Sequence, residues 1–413
     1  MTDAVQKKGM WASVPPRVKL LILAQFPNSL AFGYLLIYLT AYFPETGIGS
    51  DVVGLIIGAE GIVLVLSGIP FALLSDRKGR KWFVIIGNIV FAPTVLIFGL
   101  TRNVDLVLFA AMLGGLGEAM GLSSWNALLA DQTDLENRDA AFSLSFVIGG
   151  AGFGIGSALP IAFPAIESML GASAMVVHSW AFLVLGAAGF ATPVLFWYLL
   201  KGYKEKPPEQ KTELKLGGLG QTLKFSLCNS LIGLGAGLII PLMATWLLYK
   251  FAVQDTYSGP YLALAGLTIA FSAVASPKIS KRLGLFRAMI ATAGSSTLFM
   301  FALALVTNVY VAGLVYLIRA GLMNMNAPLM DSFLMGITPP NRRGLASTLS
   351  AIIWRLPNNA STIIGGFILL SPAYGVPALG LTNLDVPWVL ASVLYALGLG
   401  LLYFNFRHVK PSG

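Results

Sequence analysis

Charge is scarce in this chain: Asp, Glu, Lys and Arg make up 11% of its 413 residues, where a soluble domain carries about 25%. That excludes a solvated surface of ordinary composition. Cysteine is scarcer still. Cys228 stands alone, which rules out an internal disulfide and a cysteine-built metal cage. The two histidines, His178 and His408, are far apart in the chain. No HExxH, P-loop or GxSxG constellation occurs, and no nucleophile, base and orienting group fall in register. Neither an enzyme nor a protein with a cofactor or metal is expected.

What the chain has instead is apolar length. Hydrophobic residues form 56% of it, and 45 glycines are spread along it. A bilayer core about 30 Å thick takes roughly 20 apolar residues per helix, and glycine lets such helices approach closely. Apolar runs between charge or turn clusters give twelve candidate spans, at 18–43, 51–74, 81–101, 104–131, 139–165, 173–200, 222–249, 256–280, 285–307, 309–337, 344–370 and 385–406. The expected fold class is an all-α membrane protein with twelve transmembrane helices. The polar first 17 residues lead into the first span without a small-residue cleavage site, so no signal peptide is expected.

With the amino terminus in the cytoplasm, 23 of the 27 Lys and Arg residues fall on the cytoplasmic side. Arg102 and Lys250 lie outside, and Arg319 and Arg355 fall within spans. This bias orients all twelve helices together and places both termini in the cytoplasm, with the spans in the cell membrane. The net charge of +9 sits in short clusters between spans, so nucleic acid is not an expected partner. Membrane lipids, a small-molecule solute and protons are, with the chain a monomer.

The connection KGYKEKPPEQKTELKLGG at 201–218 is charged, holds a Pro pair and ends in Gly, the composition of a linker. The expected division is a cytoplasmic segment at 1–17, a six-helix bundle at 18–200, a linker at 201–221, a second bundle at 222–406 and a tail at 407–413. Sliding the sequence by 205 residues lays Arg77 over Arg282 and Gly79 over Gly284, and sliding by 204 lays Asn137 and Arg138 over Asn341 and Arg342. Matched landmarks at nearly one offset indicate a duplicated six-helix unit.

The segment ALLSDRKGRK at 72–81 resembles the signature between the second and third helices of the major facilitator superfamily, roughly G-x-L-A-D-R-x-G-R-K. Asp76, Arg77, Gly79, Arg80 and Lys81 match it, and Ala72 stands in place of the first Gly. Gly79 permits a sharp turn. Asp76 ends a helix where the macrodipole disfavours an anion, so it needs a cationic or amide partner. The resemblance implies two six-helix bundles, alternating access, and a cytoplasmic gate that Asp76 latches with Arg77 and Arg80 in support. Arg138 and Asp331 are placed in the same gate. The competing reading is a stop-transfer cluster that sets topology alone. In helix 5, GGAGFGIGSALP at 149–160 partly resembles the antiporter signature of drug exporters: Gly150 and Gly154 fit, but Ile155 replaces the Pro. This weakens a drug–proton antiport reading and points to close helix packing.

Four ionised side chains fall near mid-span: Glu60, Glu118, Arg319 and Arg355. At roughly 2.5–3.5 kcal/mol for a central charge, the four together cost on the order of 10 kcal/mol if unpaired, so they are expected to face a wet cavity or one another. Both carboxylates lie in the first half and both guanidiniums in the second. A buried Glu is suited to carrying a proton, and Arg to gripping an anion. In the tenth span Arg319 and Asn326 share one helical face, with Asn324 and Asp331 on another about 130° away. Pro357 in WRLPNN removes a backbone hydrogen bond, so Arg355, Asn358 and Asn359 join the expected cavity lining. Tyr34 and Tyr38 are expected either to line the site or to pack with a local hydrogen bond, and His178 is placed in the interfacial layer. The expected function is secondary active transport of a small organic solute, proton-coupled through Glu60 or Glu118 and leaning to an organic anion. The alternatives are a drug or cationic amphiphile–proton antiporter, a passive facilitator and a non-transporting receptor.

Overall fold

Each apolar run of the sequence is helical over most of its length in the computed structural model, which describes residues 10–134, 137–203, 219–339 and 342–409, and the run expected at 222–249 is interrupted at 238–242. The first nine residues, most of the expected linker and the end of the tail lie outside the described residues. Twelve long helical segments follow one another. They are α1 (Pro16–Glu45, with a π turn at Tyr38–Tyr42), α2 (Ser50–Lys78), α3 (Arg80–Leu100), α4 (Val104–Asp131), α5 (Arg138–Ala158, continued to Leu170) and α6 (Ala174–Leu199). Then come α7 (Gly220–Gly237, resuming at Met243–Phe251), α8 (Asp255–Leu283), α9 (Leu285–Leu305), α10 (Val309–Ile337), α11 (Arg343–Leu370) and α12 (Val386–Phe406). Eight of them, α1 to α6, α9 and α12, are long and apolar enough to cross a membrane. The interrupted α7, together with α8, α10 and α11, carries more polar residues, and these include most of the second half's candidate site residues. The chain is thus an all-α, multi-pass membrane protein.

The duplication expected from sequence is visible in the backbone. Helices open at Ser50, Arg80, Val104 and Arg138, and again at Asp255, Leu285, Val309 and Arg343, each 205 residues further on. Gly79 and Gly284 hold the matching turns at φ +108° and +81°, a conformation that side chains other than hydrogen disfavour. Packing repeats as well: α1 lies on α5 and α3 on α4 and α6, while α7 lies on α11 and α9 on α10 and α12.

Glycine sets the closest of these contacts. A methyl added at Gly33 or Gly156 would strike the carbonyl of Phe153 or Leu30, so α1 and α5 touch backbone to backbone. At Gly237 and Gly365 it would strike the carbonyls of Asn358 and Leu238, which gives the same contact between α7 and α11. The glycine-rich stretch of α5 therefore acts through packing at Gly152 and Gly156, whereas Gly150 and Gly154 meet nothing within 4 Å.

The chain forms two compact units, Met1–Tyr38 with Ala59–Gln210, and Leu39–Gly58 with Lys211–Gly413. The end of α1 and the start of α2 thus belong with the second unit, where the sequence-based boundary places them in the first. Ser50 donates its hydroxyl to the Gly366 carbonyl at 2.7 Å, and Thr245 donates to the Thr40 carbonyl.

Candidate functional site

In the first unit, α2 lies against α4 at a glycine pair. A methyl on Gly115 would collide with the Glu60 carbonyl, and one on Gly114 would come within 3.4 Å of Glu60 Oε1. The absence of side chains here leaves room for the Glu60 carboxyl over the α4 backbone, one turn from Glu118. The two carboxyls are close enough for their charges to act on each other. Glu60 Oε1 is sealed from solvent and has no hydrogen-bond partner among the described residues. Two carboxylates in a low-dielectric site repel, and a proton or another cation relieves that repulsion.

The second unit holds the basic counterpart. Arg319 on α10 is 5% exposed and donates from Nη2 to the Tyr395 phenol on α12 at 2.9 Å. Asn326, fully buried, accepts the Thr292 hydroxyl at 3.3 Å on the same face. Asn324 on the other face donates to Thr268 at 3.1 Å, and Asp331 is exposed. Both polar faces of α10 are therefore engaged within the unit. α11 runs without interruption from Arg343 to Leu370 through Pro357, which has no N–H to give to the ladder. Asn358 donates to the Gly233 carbonyl at 3.0 Å and ties α11 to α7. Asn359 is partly buried, and Arg355 is exposed.

At the turn between α2 and α3, Arg80 pairs with Asp131, the last residue of α4, at 2.7 Å. Tyr203 donates to the same carboxylate at 2.8 Å. Lys81 donates to the Leu200 carbonyl at 2.9 Å, and Arg17 donates to the Leu199 carbonyl at 2.8 Å. These two cations sit at the C-terminal end of α6, where orphan carbonyls and the macrodipole favour them. Arg138 reaches the Ala130 carbonyl at 3.3 Å, and Arg77 is exposed. The side chain of Asp76 lies outside the described residues.

The family model for the Major Facilitator Superfamily matches residues 21–362. The chain belongs to the Major Facilitator Superfamily. Over 159 residues it is 30% identical to Multidrug resistance protein 2 of Bacillus subtilis (strain 168), a match covering 36% of this chain and 40% of that one. Over 149 residues it is 32% identical to the inner membrane transport protein YajR of Escherichia coli (strain K12), covering 36% and 31%. The chain matches less than half the length of either curated relative. A bacterial homolog of the human lysosomal transporter Spinster, in an inward-facing and occupied conformation, has a TM-score of 0.75 at 16% identity over 94% of this chain and 96% of that one. The nucleoside transporter NupG has a TM-score of 0.69 at 15% identity over 94% and 99%. At these identities the likeness is one of fold.

On this superfamily scaffold the aromatic stripe of α1 packs inward. The Tyr34 hydroxyl shares a hydrogen bond of 2.7 Å with His178 Nδ1, and the two residues are 0% and 3% exposed. Tyr38 and Phe182 meet edge to face with ring centroids 4.5 Å apart, and Phe163 meets His178 at 4.8 Å. His178, on α6, is therefore buried against α1, and the phenol gives its ring a partner that water would otherwise supply. Sequence reasoning missed this pair, and it missed Asp131, Tyr203 and Tyr395 as partners of residues it did single out. For Asp131 a signal existed, since a carboxylate at a helix C-terminus needs a cation.

Proposed function

We propose that this superfamily member is a proton-coupled secondary transporter of the cell membrane, with cytoplasmic termini, that exchanges protons for an organic cation by alternating access. The observation that carries the reading is the sealed, partnerless Oε1 of Glu60 beside Glu118. Such a carboxyl pair holds a proton or a cationic centre in turn, and competition for one site couples the two fluxes. The names of the relatives support the drug-exporter alternative: one is a multidrug resistance protein, and the quinolone resistance protein NorA of Staphylococcus aureus is 24% identical over 190 residues. Of the two arginines that favoured an anion, Arg355 is exposed and Arg319 belongs to the second unit, whereas the carboxyl pair belongs to the first. Asp76, Arg77, Gly79, Arg80 and Arg138 remain the proposed cytoplasmic gate.

The test uses proteoliposomes with an imposed pH gradient and a pH-sensitive dye inside. Adding tetraphenylphosphonium is expected to collapse the gradient in the wild type and not in Glu60→Gln or Glu118→Gln. Cation-driven proton movement that persists in both variants overturns the reading. Collapse by carboxylates instead of cations restores the anion alternative.

A further inference from the structure

We infer that the second unit contains a monovalent-anion site centred on Arg319, separate from the carboxyl pair of the first unit. Arg319 lies ten residues into α10, about 15 Å along the helix, which is the depth of the middle of a bilayer core about 30 Å thick. A guanidinium carries five N–H donors and does not give up its charge. Here one donor is used: Nη2 reaches the Tyr395 phenol, whose ring also lies 5.8 Å from the guanidinium carbon. A phenol supplies a dipole and a π face but no counter-charge. Nε is buried with no acceptor, and no carboxylate pairs with Arg319 among the described residues. The Ser296 hydroxyl is spent on the Arg319 backbone carbonyl at 3.1 Å.

A second free donor lies on the same face. Asn326, two turns on, has its Oδ1 occupied by Thr292, and its Nδ2 is buried with no acceptor. Tyr316, one turn before Arg319, is 6% exposed. The face therefore presents a fixed positive charge and an excess of donors, with acceptors missing. A buried charge is retained in a membrane when something of opposite sign accompanies it. One guanidinium asks for one negative charge, which selects a halide or a small carboxylate over sulfate or phosphate.

The experiment measures thermal unfolding of the full chain in detergent, at constant ionic strength, as gluconate is replaced by chloride, nitrate, formate or acetate. A saturable rise in Tm is expected with at least one of them. Arg319→Gln should abolish it, and Tyr395→Phe, which keeps the charge and removes the protein's own hydroxyl, should shift its midpoint at least threefold. A response to chloride or nitrate makes a free inorganic ion the occupant, and one confined to formate and acetate makes it the carboxylate of an organic acid. No saturable response to any of the four overturns the site. So does a response with the same midpoint in Tyr395→Phe, which decides alone if Arg319→Gln does not fold. Glu60→Gln should retain the anion response while losing cation-driven proton exchange, so failure of one proposal is distinguishable from failure of the other.

Discussion

Glu45, the last residue of α1, accepts the backbone N–H of Asp255, the first residue of α8, at 2.7 Å. The start of a helix leaves N–H groups unsatisfied and favours a negative charge, and the side chain of Gln254 at the N-cap position makes no capping bond. A carboxylate 210 residues away in the chain supplies it. Glu45→Ala is expected to cost about 1 kcal/mol, the usual worth of a cap, and Glu45→Gln less, because an amide oxygen still accepts. Thermal unfolding of the three proteins checks the order.

The ion pair of Arg80 and Asp131 has a distinguishable signature. Breaking a buried pair costs about 3–5 kcal/mol because it strands a charge. These side chains keep 16% and 12% of their exposure, so about 2 kcal/mol is expected for Arg80→Ala. Removing Asp131 as well should recover part of the loss. A double-mutant cycle on unfolding midpoints measures the coupling, and additivity would count against the pair.

Two glycines two residues apart on α5, and so on different faces, should respond oppositely to alanine. At Gly156 the new methyl strikes the Leu30 carbonyl, a backbone atom that cannot step aside, and at Gly154 it meets nothing within 4 Å. Gly156→Ala is expected to lose about 1–3 kcal/mol to overpacking. Gly154→Ala should be neutral or gain up to about 1 kcal/mol of helix propensity. Melting temperatures in one detergent decide it.

Acid should weaken the protein through Asp385, which stands before α12 and outside the span. Burial pushes its carboxyl up, but hydrogen bonds from Lys250 and Thr382 and the lysine's charge outweigh that and hold it below the usual aspartate range. A carboxyl whose folded pKa is depressed stabilises fully above its unfolded value of about 3.9, and this contribution disappears as pH falls through the folded value. Tm measured from pH 7 to pH 3 should therefore fall in the acid limb, less steeply in Asp385→Asn. In Lys250→Met, where only the Thr382 bonds still oppose burial, the carboxyl's pKa moves up toward its unfolded value, so the acid fall should be shallower than in the wild type.

The twelve helices were legible because a bilayer imposes one length on every span and because charged clusters separate many of them. The turn glycines at 79 and 284 were legible from their spacing alone. Side-chain direction was not. A span with polar groups on more than one face does not announce which of them meets a neighbour, so Arg319 and Arg355 read alike although one is buried on Tyr395 and the other exposed. Nor could sequence show Tyr34 closing on His178, 144 residues away, since that depends on how α1 and α6 pack. Glu45 carried no signal at all: its partner is a backbone N–H, which every residue except proline offers.

The 205-residue register has one more use, as a ruler for transplanting charge. It sets Arg319 of α10 over Gly114 of α4, the position that opens onto Glu60, where an added Cβ meets Thr94 Cγ2 at 3.1 Å and Glu60 Oε1 at 3.4 Å. The same frame therefore offers a socket that one copy fills with a guanidinium and the other leaves vacant beside an acid. Writing the arginine of the second copy into the first would give Glu60 a resident counter-ion, and a half that has neutralised itself has no further call on a proton or a travelling cation.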